Sequence, residues 1–110
     1  MTEYFSKYSK EQVFILDEDG NNYSSFDKAI EFINKNTLDS EPRIKHDFID
    51  GGTLVFIKDG ITIKISCSNW NGTELRVHKE SLTESELSKV RQLTEDIYNF
   101  MDNSFPSGLM

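Results

Sequence analysis

The chain has 110 residues, with 12 basic and 19 acidic side chains, a formal net charge of −7 and a single cysteine. That length suffices for one domain with a core of its own, and one cysteine cannot build an internal disulfide framework. The acidic balance argues against nucleic acid as a ligand, because phosphate backbones are held by cations; with no basic leader and no run near the ~20 apolar residues of a membrane helix, a cytoplasmic protein without membrane contact is expected.

The opening residues are polar apart from Tyr4, Phe5 and Tyr8. They read as a frayed turn of helix laid on the body, and residues 1–11 and 103–110 are expected to be the loose ends of a single domain covering 1–110. Val13 to Leu16 is a short continuous apolar run, the pattern of a strand buried on both faces, and the polar stretch Asp17 to Asn22 ends it. From Ser25 the period becomes helical: Phe26, Ala29, Ile30 and Ile33 share a stripe, Ser24 or Ser25 caps its start, and the end frays over Asn34 to Asn36.

Ile44, His46 and Phe48 alternate with Arg43, Lys45 and Asp47, which predicts a strand closed by a turn at Asp50-Gly51-Gly52. The stretch from Thr53 to Val77 then holds two β-rich runs joined by Lys58-Asp59-Gly60, a polar loop from Ser68 to Thr73, and a third run. In the middle run Ile61, Ile63, Ile65 and Cys67 alternate with Thr62, Lys64, Ser66 and Ser68, so this sheet is covered on one side only. The last element announces itself by Thr83-Glu84-Ser85-Glu86, a capping box, with Leu82 and Leu87 at the positions of a hydrophobic staple. Leu87, Val90, Leu93, Ile97, Phe100 and Met101 continue as one helical stripe to about residue 102.

The resulting expectation is an α+β domain: a mixed, mostly antiparallel sheet of about five strands with two helices packed on one face, in the order β-α-β-β-β-β-α. Its core would include Ile30, Ile33, Phe56, Ile63, Ile65, Leu75, Leu87, Val90 and Ile97.

Chemistry is thinly signalled. Asp17, Asp19 and Asn21 are spaced like the first ligands of a calcium loop, but Asn22 stands where glycine is required and Lys28 where a bidentate glutamate is required. Cys67 continues an inward-facing apolar series, and neither it nor His46 or His78 has a partner at ligand or triad spacing. The glycines fall in turns rather than ahead of a helix as a phosphate cradle would need. No catalysis, metal or cofactor is expected.

Charge is distributed unevenly: residues 1–41 hold 4 basic and 9 acidic side chains, residues 42–79 hold 6 and 4, and residues 80–110 hold 2 and 6. In the last helix Glu95, Asp96 and Asp102 oppose the macrodipole, with Arg91 placed to pair only with Glu95. Strand parity brings the loop after Leu16, the turn at Asp50 and the loop bearing Trp70 to one end of the sheet, and the last helix returns toward it. Asp17, Glu18, Asp19, Asp50, Trp70, Glu95, Asp96 and Asp102 are therefore the candidate partner surface, Trp70 being either a binding anchor or a lid on the core. Such a profile suits an inhibitor or immunity-type protein, a bacterial antitoxin that neutralises a basic enzyme such as a nuclease toxin by protein contact. The alternative is a structural or regulatory module that binds a peptide or subunit through its sheet.

Overall fold

Alternation along the sequence becomes alternation in burial. In a computed structural model, which describes residues 2–18, 23–35, 43–47, 51–68 and 72–104, the elements are β1 (Thr2–Ser6), β2 (Glu11–Asp17), α1 (Tyr23–Lys35), β3 (Arg43–Asp47), β4 (Gly51–Lys58), β5 (Ile61–Ser68), β6 (Gly72–His78), a 3-10 turn at Lys79–Ser81 and α2 (Glu84–Ser104). The strands form one sheet in the order β1-β2-β6-β5-β4-β3. Register aligns Phe14, Leu75, Ile65 and Leu54 across its middle. These four join one buried cluster with Phe26, Ala29 and Ile33 of α1 and Leu87, Val90, Leu93, Ile97 and Met101 of α2. Both helices thus cover the same face, the α+β class is as expected, and from β2 onward so is the element order. The predicted core residues are buried, with Ile30 half-buried against the cluster.

Two features of the sheet depart from expectation. The strands flanking α1 do point the same way, but β6, β5 and β4 stand between them, so every pairing is antiparallel and the sheet is not mixed. The opening residues are not a frayed helical turn: Thr2–Ser6 is a sixth strand, hairpinned onto β2 through residues 7–10, where Lys10 takes a positive φ of 59°. This explains the burial of β2 on both faces, because Val13, on the side away from the helices, lies in register between Tyr4 and Arg76 and is 0 % exposed.

The tight turns follow their chemistry. Asp59 and Gly60 have φ of 54° and 78°, the pair of left-handed residues that a two-residue hairpin needs to match strand twist. Gly51 and Gly52, expected in a turn, instead open β4 and pair with Ser68 and Cys67. At α2 the capping box forms as read: the Thr83 amide donates to Glu86 Oε1 at 2.9 Å and the Glu86 amide to Thr83 Oγ1 at 3.1 Å. At α1 the cap reading gives way. The helix begins at Tyr23, so Ser25 lies inside its first turn and its hydroxyl donates to Asp17.

Arg91 also has a different partner from the one expected. Its Nε and Nη2 donate to the two carboxylate oxygens of Glu3 at 3.0 and 2.7 Å, clamping β1 to α2. The Arg91 hydrogen bonds hold the Glu3 carboxyl below its ordinary range, against a smaller upward push from burial. A carboxyl depressed by folding contributes stability above its unfolded pKa of about 4.3 and loses it as pH falls through the folded value. The pair is partly exposed, with side chains 28 % and 42 % accessible, so Glu3→Gln is expected to lower stability at pH 7 by no more than about 1 kcal/mol. The difference between parent and variant in urea melts should shrink as pH falls below about 4. A difference that persists undiminished there would mean that the charge pair is not what holds the strand.

Candidate functional site

The strand ends define the site. Asp17 pairs with Thr73, Ser68 with Gly72, Gly51 with Ser68 and Asp47 with Gly51, so β2, β3 and β5 finish, and β4 and β6 begin, at one end of the sheet. Helix α2 sets out from the other end, where the Lys79 amide donates to the Lys10 carbonyl at 3.1 Å, and runs back. Where the β1–β2 edge meets α2 there is an open cleft of about 310 Å³ lined by Thr2, Ile15, Leu16, Asp17, Glu18 and Tyr98.

The expected site residues fall on this frame unequally. Asp17 is half-buried at the end of β2 and accepts the Ser25 hydroxyl, so it ties strand to helix as well as carrying charge. Glu18 follows it and is exposed. Glu95 and Asp96 are exposed on α2, Asp96 accepting from Gln92 Nε2 at 3.0 Å. Asp102 belongs to the last turn of α2, its side chain outside the described part. Asp19, Asp50 and Trp70 lie outside the described residues, as do Asn21 of the calcium-like spacing and the tail beyond Ser104. The described strand ends flanking Asp50 and Trp70 are nonetheless at the Asp17 end.

The chain matches no family model, no curated protein and no solved structure.

Sequence reasoning overlooked Tyr98, Thr2 and Gly72. Tyr98 follows Ile97 off the apolar stripe and is 38 % exposed; a large aromatic on a polar helix face was the signal available. Thr2 enters the cleft only because β1 exists. Gly72 has a φ of +73°, and a methyl group there would overlap the Asp17 carbonyl oxygen and come within 2.9 Å of the Glu18 carbonyl carbon. It faces the register shift between Ile15 and Asp17, where β2 bulges, so the bulge that aims Asp17 and Glu18 depends on a missing side chain.

On the helix-free face, Lys64 and Arg76 are direct cross-strand neighbours, a like-charge pairing that would repel if left alone. Glu11 lies between them, 3.3 Å from Lys64 Nζ and 3.1 Å from Arg76 Nη1. Arg76 Nη2 also reaches Glu74 at 3.1 Å, and the Tyr4 hydroxyl donates to the second Glu74 oxygen at 3.2 Å. Burial drives the Glu11 carboxyl up, but Arg76, Ser9 and Lys64 together outweigh it and leave the group below its ordinary value. Lys64 and Arg76 are thereby spent internally, and they offer less free positive charge than the sequence suggests.

Two of the residues considered for catalysis can be placed, while the side chain of the third, His46, lies outside the described part. Cys67 is 3 % exposed, and burial pushes its thiol up, away from the reactive thiolate. His78 is exposed at the end of β6. Among the described residues no group of three or more His, Cys, Asp or Glu is arranged to hold a metal, and no helix is long and apolar enough to cross a membrane.

Proposed function

We propose that the chain is a small acidic binding protein of inhibitor or immunity type, which neutralises a basic enzyme such as a nuclease toxin by protein contact. The observation that carries the reading is the convergence of Asp17, Glu18 and the C-terminal half of α2, far apart in sequence, on one end of the sheet beside an open cleft. Carboxylates there speed encounter with a cationic active site and orient it, while Trp70, for which the sequence leaves both an anchor and a core lid open, slows release if it is the anchor. The neutralisation of Lys64 and Arg76 on the helix-free face supports the acidic end over that part of the sheet as the contact. One observation favours the alternative of strand-to-peptide binding: β1 is an edge strand with Tyr4 and Phe5 about 40 % exposed, at 42 % and 40 %.

The partner to test is the protein encoded by the neighbouring reading frame, co-expressed with this chain. Asp17 is best left intact because of its bond to Ser25. Combined Glu18→Lys, Glu95→Lys and Asp96→Lys is expected to slow association about tenfold at low salt and to flatten its salt dependence. Trp70→Ala is expected to act mainly on dissociation, with the melting temperature measured beside it. Affinity unchanged by both sets of substitutions in folded protein would remove this end as the contact surface.

A further inference from the structure

We infer that the cleft at the β1–β2 edge is a subsite for one arginine side chain of the partner, an inference that rests on the reading of the acidic end as a binding surface. Its volume of about 310 Å³ lies at the bottom of the ~300–1,000 Å³ span of small-molecule sites. That is room enough for one long side chain with part of its hydration.

The lining selects the chemistry. Ile15 and Leu16 supply an apolar wall of the kind that covers the methylene stem of a long cationic side chain. Tyr98, partly exposed in the same cleft, presents an aromatic ring to a cation. Glu18 is exposed at the rim and makes no ion pair with any described residue, while Asp17 adds a second negative charge from the half-buried position where it holds Ser25. Two carboxylates exclude an anion. A guanidinium uses the whole set better than an ammonium: it is planar and stacks on the ring, it offers a fork of donors to a carboxylate, and it sheds water more easily. The cleft also lies on the flank of α2 that carries Glu95, three residues before Tyr98 and so its neighbour on the helix surface, and an arginine seated there would draw neighbouring cations of the partner onto that flank.

The test needs no partner. The full chain, labelled with nitrogen-15 and carbon-13, is titrated with N-acetyl-arginine methylamide, with the uncharged citrulline analogue as control. Saturating shifts are expected at the Leu16, Asp17 and Glu18 amides and at the Tyr98 ring, with a dissociation constant in the millimolar range, and no comparable response to citrulline. Glu18→Gln and Tyr98→Leu should each weaken binding about three- to tenfold, the weight of one exposed ion pair or ring contact. Equal responses to arginine and citrulline, unsaturated shifts spread over all exposed carboxylates, or parental affinity in both variants would overturn the subsite. Should the subsite fail while the Glu95→Lys and Asp96→Lys changes still slow association with the partner, the inhibitor reading stands without it. A saturable arginine response beside a partner whose association ignores salt would keep the subsite and remove the inhibitor reading.

Discussion

Gly72→Ala is expected to lower the free energy of unfolding by at least about 3 kcal/mol, close to the whole margin of a weakly stable domain. Two effects combine at this position. A φ of +73° is strained for any L-residue with a β-carbon, and the new methyl group would overlap the Asp17 carbonyl, a backbone atom with no rotamer by which to move away. Gly60 provides the internal control: its φ of +78° is as extreme, but nothing lies within 4 Å of the added atom. Gly60→Ala should therefore show only the conformational part, about 1 kcal/mol. Urea denaturation of the two variants separates strain from collision, and equal losses would show that the approach of Gly72 to the β2 bulge is not a close one. The Leu16 to Glu18 amides of any folded Gly72→Ala protein should also shift most, since the bulge positions the cleft.

Arg76→Ala is expected to cost about 3–5 kcal/mol, because it leaves an ionisable group buried without its partner. The Glu74 side chain is only 4 % exposed and that of Arg76 20 %. Burial alone would draw the arginine down, yet hydrogen bonds and charge from Glu74 and Glu11 leave it above its ordinary value. Removing the guanidinium also leaves the Glu11 carboxylate, 14 % exposed, with Lys64 as its remaining ion partner. The double variant Arg76→Met, Glu74→Leu should lose less than Arg76→Ala, since two apolar groups leave no orphaned charge. Losses that simply add would show that the two residues contribute independently.

The parts of the fold legible in the sequence are those set by local pattern. The period-two run of β5, the Asp59-Gly60 turn and the Thr83–Glu86 box each carry their structural cause within a few residues, and strand parity was enough to bring the ends of β2, β3 and β5 to one end of the sheet. What escaped was set by contacts distant in sequence. In Thr2–Ser6, adjacent Tyr4 and Phe5 blur the alternation that marks a strand; the segment is held by Glu3 against Arg91, 88 residues away, and by Tyr4 against Glu74, 70 residues away. The partner of Arg91 was misjudged for the same reason, since the i, i+4 rule looks only along its own helix. Tyr98 could not be placed in a cleft whose other wall includes an unsuspected strand.

The β2–β6 seam orders the assembly of the chain. Residues on its two sides, such as Glu11 and Arg76, stand 65 positions apart, so closing it before anything else has formed would carry a loop entropy of roughly 4 kcal/mol. The hairpin of β4 and β5 closes over two residues, and β6 adds to it after one short loop. Loop entropy therefore favours the meander and the capped α2 as the nucleus, onto which β1, β2 and α1 add. Until they dock, the inner edge of β6 is an unpaired strand lined with Leu75 and Val77, and a refolding chain at that stage presents it to any other strand in reach.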